Sequence, residues 1–348
     1  MLIFIIVLIG LSLLILVHEA GHFFAAKYFG LKVDEFGFGF PPRMFAWKKG
    51  ETEYGLNWLP FGGFVKIAGE TDRLQDIEKL EKLSTEEKKR IFLFQPAWKR
   101  ATVILAGVVV NFIVGWFLLS LLFMVGSPQI LLISGVEPGS PAERAGVMSG
   151  DVVLNYAASQ QFIDFVNQNR GKEITLDLRR GSEKIEIKTS PRVETTDNQG
   201  ALGVFLTEGG IPRYNFFSAI WEGLKFSFVL AGQVFIALVE LVKGLFLRAE
   251  LLQGVVGPLG IFGVAEQVGN IGLVYLVQLL ALISINLAVM NLIPFPALDG
   301  GRFFLIIVEK LKGSPISPKW EGVTNLIGFA FLLLLMVLLT FRDISHLF

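Results

Sequence analysis

The sequence predicts a polytopic α-helical membrane protein with four transmembrane helices, a membrane-associated β-sheet and one separate α+β domain. Hydrophobic residues make up 53% of the 348 residues and charged residues only 18%, a balance typical of membrane proteins. Four apolar segments are long enough to cross a bilayer. Between them lie a stretch rich in glycine and aromatic residues and a charged stretch of short alternating runs, which predict the sheet and the separate domain.

Composition also excludes several classes of protein and site. The formal net charge is zero, so the chain has no general electrostatic attraction for nucleic acid. It contains no cysteine, which excludes disulfide bonds and thiolate metal ligands. The first residues hold neither a basic region nor a small-residue cleavage site, so we expect no cleaved signal peptide there.

The first apolar segment, residues 1–29, is predicted to be a spanning helix with a His-Glu-x-x-His pattern in its last third. His18 and His22 are four residues apart, so a helix presents both imidazoles on one face, which suits zinc. Glu19 is placed to take a proton from water at such a metal. Short patterns arise by chance, but imidazoles and carboxylates are costly at membrane depth. We therefore favour a metal site over a chance match.

A third protein ligand for this metal must come from elsewhere in the chain. There are only three histidines, and the third, His346, lies near the C-terminus. Because thiolates are excluded, the third ligand is an aspartate or a glutamate unless the C-terminal tail folds back.

Residues 30–69 are rich in glycine and aromatic residues and predict a small sheet beside the first helix. Strand edges are not tolerated in lipid, so this sheet is buried against helices or lines a wet cavity. Two interpretations stay open: an edge strand that holds a substrate extended by β-augmentation, and a plain hairpin at the membrane surface.

The next two segments are simpler. Residues 70–100 are charged and helix-prone, and predict a surface helix in a loop whose lysines and arginines place it on the cytoplasmic side. Residues 101–125 predict the second spanning helix. We interpret Asn111 within it as a structural hydrogen bond to another helix.

Residues 128–208 combine short strands with two short helices and predict a separate domain of modest size. Residues 215–248 are apolar, yet five polar residues fall within one stripe of a helix. These are Glu222, Lys225, Gln233, Glu240 and Lys243. An interfacial helix lying along the membrane and a spanning helix with a polar face toward a cavity both fit this pattern.

Residues 271–301 predict the third spanning helix, which unwinds at its end because Pro294 and Pro296 cannot continue a regular helix. Asp299 is therefore expected on broken backbone. Residues 302–322 predict a second cytoplasmic loop, and residues 323–342 the fourth spanning helix.

The depth of Asp299 helps to choose between the two interpretations of residues 215–248. If Asp299 is the missing ligand, it must lie at the depth of the two histidines, near the cytoplasmic loop 70–100. The second span returns the chain outward, so residues 128–208 lie outside, and the chain must cross only once more before Asp299. This favours an interfacial helix, four spans and both termini outside.

Two motifs resemble those of the site-2 protease family, in particular its RseP-type bacterial members, and the resemblance covers nearly the whole chain. His18-Glu19-x-x-His22 is similar to the family's first motif. Asn291-x-x-Pro-x-Pro-x-Leu-Asp299-Gly is similar to its second motif.

Further stretches resemble the same family. Gly37-Phe38-Gly39 is similar to the glycine-aromatic signature of its membrane-dipping sheet, and residues 96–111 to the lead into its second span. Residues 257–261 are similar to its loop before the third span. Residues 135–154 resemble the start of a PDZ domain in its bacterial, protease-associated form.

The resemblance implies roles for individual residues. His18, His22 and Asp299 would bind zinc, and Glu19 would act as general base and then as general acid. Asn291 would hold the substrate backbone, although an asparagine that bonds its own backbone at a helix end is an open alternative. Gly37, Phe38 and Gly39 would belong to the substrate-binding sheet.

The resemblance also implies an intramembrane endopeptidase of the bacterial inner membrane, acting in regulated intramembrane proteolysis. Its substrates would be single-span membrane proteins, such as anti-sigma factors or remnant signal peptides, already trimmed outside by a site-1 protease. The PDZ-like domain would be extracytoplasmic and would exclude untrimmed substrates.

Two other classes of function compete with this one. A metal transporter would use the same ligands for its cargo, but the charged groups cluster at one depth and no chain of polar residues lines a path across. The function of a non-catalytic PDZ scaffold would not depend on an acid–base residue such as Glu19.

Overall fold

The computed structural model describes residues 2–70, 83–181, 183–195, 199–247, 257–314, 316 and 318–345. In chain order the elements are α1 (Leu2–Tyr28), β1 (Val33–Lys49), β2 (Thr52–Ile67), α2 (Thr85–Lys88), α3 (Ala97–Val125), β3 (Ser127–Val136), α4 (Pro141–Arg144), β4 (Val152–Val153), α5 (Ser159–Gln168), β5 (Ile174–Arg180), β6 (Glu183–Thr189), β7 (Val204–Ile211), α6 (Phe216–Leu247), α7 (Pro258–Ile271), α8 (Leu273–Leu292), α9 (Asp299–Lys312) and α10 (Pro318–Ser345).

The chain forms two compact units. The first consists of Met1–Leu119, Gly223–Ala265 and Gln278–Phe348, and the second of Ser120–Glu222 and Glu266–Val277. The core of the first unit joins the end of α1, the sheet, the start of α3 and α9. Its buried apolar residues include Phe23, Leu31, Ile67, Val103 and Ile306.

Close helix packing in the first unit relies on small residues. A side chain at Gly10 of α1 would lie 2.7 Å from Leu280 of α8, and one at Gly115 of α3 would lie 2.6 Å from Ile285 of α8. Small residues are common where membrane helices pack against one another. The missing side chain at each glycine leaves room for an α8 side chain to pack against α1 and α3.

The β1–β2 sheet bends back on itself, so that one stretch of β1 has partners on both sides. Residues 35–38 pair with residues 63–66 on one side and with residues 53–56 on the other. Residues 43–49 pair only with residues 52–57. The segments 62–67 and 43–49 are therefore the two edges of this sheet within the described residues. The small sheet predicted in residues 30–69 is present.

The second unit holds a five-stranded sheet in the order β6-β5-β4-β3-β7. Its core packs α5 against the sheet through Phe162 and Val166. The predicted separate α+β fold is thus present. The central strand β4 is short and comprises only Val152–Val153 before the chain turns.

Two segments predicted as loops form helices. The charges of residues 302–322 predict a loop, but α9 covers the whole first half of this segment. Ile306 packs into the core, and Glu309 makes a buried ion pair with Arg100 at 2.7 Å. The number of charged residues in this segment did not indicate that its first half forms an amphipathic helix. Similarly, α7 starts at Pro258, where a glycine-rich loop was expected, and proline is well tolerated in a first helical turn.

The helix predicted in residues 70–100 is only partly testable. Residues 71–82 lie outside the described part of the chain. The described part contains the short α2, with a Ser84 capping box, and a 3₁₀ turn over Phe92–Phe94.

Among the described residues, five helices are long and apolar enough to cross a membrane. They are Leu2–Tyr28, Ala97–Val125, Phe216–Leu241, Leu273–Leu292 and Trp320–Ile344. Four of them correspond to the predicted spans. The remaining one lies in the segment predicted to be interfacial, and its length and composition also permit a crossing. The four-span topology therefore stays a prediction.

Cysteine labelling tests this topology, because the chain contains no native cysteine. Glu222 and Lys243 are 21 residues apart on α6, or about 31 Å along a helix, which matches the thickness of a bilayer core. We expect Glu222→Cys and Lys243→Cys to react with an impermeant maleimide from the same side of oriented vesicles. Labelling from opposite sides would show that α6 spans. Leu333→Cys, within α10, is the control and should stay unlabelled from either side.

Candidate metal centre

Helix α1 carries both histidines on its buried face. The exposed fraction is 7% for His18 and 8% for His22. The spacing of four residues stacks the two side chains one turn apart. Their rings meet edge to face, with centroids 4.8 Å apart.

Helix α3 orients His22 and makes room for both imidazoles. The Nδ1–H of His22 donates to the Val103 carbonyl at 2.8 Å, which leaves the Nε2 lone pair free for a metal. A side chain at Gly107 would place its Cβ 2.4 Å from His22 Nε2 and 2.7 Å from His18 Cε1. Any other residue at position 107 would fill the space that the rings occupy.

Asp299 reaches the histidines from the first turn of α9. Its Oδ2 lies 3.0 Å from His18 Nε2 and 3.3 Å from His22 Nε2. The two glycines that follow allow close backbone packing. A Cβ at Gly300 would lie 2.3 Å from the Ile293 carbonyl oxygen, and one at Gly301 would lie 2.2 Å from the Phe295 carbonyl oxygen. The unwinding predicted after α8 is present over residues 293–298, but the prediction that Asp299 itself lies on broken backbone is wrong, because Asp299 is the first residue of α9.

The three ligand atoms fit a tetrahedral ion. The two Nε2 atoms are 3.2 Å apart, so all three separations fall between 3.0 and 3.3 Å. A tetrahedral zinc ion with bonds of about 2.0–2.2 Å separates its ligands by about 3.3–3.6 Å. Two nitrogens and one carboxylate oxygen are also the donor set that zinc accepts with one position left open.

A cavity of about 230 Å³ adjoins this cluster. His18, Glu19 and Asp299 line it together with Asn111 and Asn291. The predicted acid–base residue Glu19 and two of the three predicted ligands, His18 and Asp299, therefore line one polar cavity. The amide nitrogen of Asn291 lies 3.5 Å from His18 Nε2, close enough to serve a molecule bound at the cluster.

The role predicted for Asn111 is only half right. A hydrogen bond does join α3 to α8 at this point, but the hydroxyl of Ser284 donates it to the Asn111 backbone carbonyl at 2.7 Å. The buried side-chain amide of Asn111 has no hydrogen-bond partner among the described residues. A polar side chain left in this way beside the cavity is available to a ligand.

The structure changes the assignment of the glycine-aromatic signature. Gly37 and Phe38 lie in the doubly paired stretch of β1, so neighbouring strands already occupy their main chain. The edge segment 62–67 lies beside the predicted acid–base residue, since a Cβ at Gly63 would lie 3.4 Å from Cγ of Glu19. Gly39 packs internally as well, because Asn57 donates to its carbonyl at 2.9 Å.

Comparison with known proteins agrees with this geometry. The model of peptidase family M50 matches residues 6–335. The chain belongs to peptidase family M50. It is 30% identical to the zinc metalloprotease RasP of Shouchella clausii, with 97% of each chain covered. It is 29% identical to the regulator of sigma-W protease RasP of Bacillus subtilis, with 96% of each chain covered. The predicted kinship with site-2 proteases and the prediction of a metalloprotease are confirmed.

Sequence reasoning missed the residues that support the cluster of this M50 peptidase. Val103 acts through its backbone carbonyl, which has no sequence signature, and Gly107 is one of 37 glycines. Ala297 is a left-handed alanine at φ 74°, a conformation that costs a residue with a side chain about 1–2 kcal/mol. The alternative third histidine, His346, lies outside the described residues.

Proposed function

We propose that the chain is a zinc-dependent intramembrane endopeptidase in which His18, His22 and Asp299 hold the metal. The observation that carries this proposal is the convergence of three ligand atoms, all within 4.8 Å of one another, from helices at opposite ends of the sequence. A catalytic zinc site needs three protein ligands and one open position, and the adjoining polar cavity provides space for that position.

Glu19 moves the protons of the reaction. When bound, zinc activates water near neutral pH and polarises the carbonyl of the scissile bond. Glu19 takes a proton from the attacking water and later delivers it to the leaving amine. Val103 keeps His22 in the tautomer that presents Nε2, and Asn291 binds the main chain of the substrate next to His18.

The substrate must be unwound before it reacts, because a helix hides its carbonyls in internal hydrogen bonds. The edge segment 62–67 adds the unwound segment as a further strand, and Gly63 brings that edge beside Glu19. Main-chain pairing of this kind accepts many sequences, which suits a protease with several membrane substrates.

Substitution of Gly63 tests the role of this edge. A Cβ there would meet the Gly37 carbonyl oxygen at 3.3 Å and Glu19 Cγ at 3.4 Å. We expect Gly63→Val to lower cleavage about tenfold or more with zinc content unchanged, because the side chain obstructs the path between sheet and catalytic base. Gly55→Val is the matched control, since a Cβ at Gly55 meets only Glu35 Oε1, at 3.4 Å. Equal losses in both variants would contradict an edge-specific role.

The substrates are single-span proteins of the bacterial cytoplasmic membrane, such as anti-sigma factors or remnant signal peptides. A relative named for the regulation of sigma-W supports this class. The second unit is a PDZ-like domain on the extracytoplasmic side, where it excludes proteins that a site-1 protease has not yet trimmed.

The experiment that tests this function uses the purified chain in liposomes with a single-span substrate of defined sequence. Cleavage that stops with a zinc chelator and returns with zinc supports the proposal. Transport of zinc across the liposome membrane without any cleavage would instead support a metal transporter.

A further inference from the structure

The loop before Asp299 contains a conformation that its own sequence does not favour. Ala297 has φ 74°, in the left-handed region where glycine is the usual residue. The internal turns of the loop use other groups, since Phe295 N–H donates to Ile293 and Leu298 N–H donates to Phe295. The N–H of Ala297 instead donates to the side-chain oxygen of Asn325 at 3.2 Å.

Helix α10 supports the loop along one stripe, at residues spaced by three. Asn325 bonds to Ala297, as described. A Cβ at Gly328 would lie 2.5 Å from the Pro296 carbonyl oxygen, so the helix backbone touches the loop. One turn further, the rings of Phe331 and Phe295 lie 5.7 Å apart. The loop therefore rests on α10 over its whole central part.

We propose that Asn325 is a positioning residue for the metal ligand Asp299. Its side-chain oxygen holds Ala297 in the left-handed conformation, which sets the direction in which the chain enters α9. Asp299 is the first residue of that helix, two residues after Ala297. The position of its carboxylate therefore depends on the direction in which the chain enters α9. Asn325 does not itself line the cavity lined by Glu19 and Asp299. This role rests on the proposed function, in which Asp299 binds zinc.

A positioning role for Asn325 has a consequence that simple packing of α10 against the loop would not have. If Asn325 acts by holding a strained alanine, its importance must fall when position 297 no longer carries a Cβ. Glycine adopts φ 74° without steric cost. The effects of substitutions at positions 325 and 297 should therefore be non-additive.

The experiment measures zinc affinity of the purified full chain by competition with a chelator, together with the visible spectrum of the cobalt-loaded protein. We expect Asn325→Ala to weaken zinc binding about tenfold and to shift the cobalt bands. Loss of a residue that supports a metal ligand typically has an effect of this size on metal affinity. In an Ala297→Gly background the same substitution should cost less than about threefold. Leu326→Ala, at an adjacent residue that is 67% exposed, is the matched control and should match the wild type.

Two results would overturn the positioning role. One is unchanged zinc affinity and an unchanged cobalt spectrum in Asn325→Ala. The other is a full loss in Asn325→Ala that persists when position 297 is glycine, which would indicate general damage to α10. Failure of the proposed function looks different, because the wild-type chain would then bind no zinc at all.

Discussion

Glu19→Gln is expected to lower cleavage by about 10²–10⁴-fold while the protein keeps its zinc. The substitution preserves size and hydrogen bonding but removes the group that accepts and returns the proton. Zinc stays bound because Glu19 is not among the three converging ligands. The measurement is the initial rate of cleavage of a single-span substrate in liposomes, with zinc content determined on the same preparation.

Glu183→Gln provides the control for this prediction. Glu183 is an exposed residue of β6 in the second unit and should have no effect on the rate. Equal rates for Glu19→Gln and wild type would exclude Glu19 as the general base. If the chain were a scaffold that does not catalyse cleavage, neither Glu19→Gln nor Glu183→Gln would change the rate of cleavage.

Asp299→Ala is expected to remove the metal and with it all activity. The substitution leaves two imidazoles, and it also removes the only carboxylate found within the described cluster. Zinc content should fall from about one per chain to below about 0.1 after dialysis against a chelator, because binding free energy depends on the full ligand set. Asp164→Ala, at an exposed residue of α5, should keep its zinc.

The folded state should survive the loss of Asp299. The neighbouring elements remain joined by contacts independent of the metal, such as the buried ion pair between Arg100 and Glu309. We therefore expect Asp299→Ala to be as helical as the wild type by circular dichroism. A variant that retains zinc at the wild-type level would show that another residue supplies the third ligand.

The sequence points to the three residues that the structure brings together, because their chemistry is unusual for their surroundings. Histidines and an aspartate in apolar segments are costly, and the spacing of His18 and His22 already places both on one helix face. The break after α8 follows from Pro294 and Pro296. These features depend on residue type and short-range geometry, which a sequence displays directly.

The supporting contacts depend on tertiary packing and could not be predicted. The carbonyl of Val103 and the empty space at Gly107 matter only because α3 lies against α1. Glycine or asparagine is expected at a left-handed position, so Ala297 gave no signal. The same limit explains the error at α9, where a buried partner for Glu309 stands 209 positions away along the chain.

The most direct test of the metal centre is X-ray absorption at the zinc edge of the purified, zinc-loaded protein. We predict one zinc ion bound by two imidazoles and by oxygen ligands, at about 2.0–2.2 Å. A spectrum with fewer than two imidazoles, or a third imidazole in place of the carboxylate, would contradict coordination by His18, His22 and Asp299.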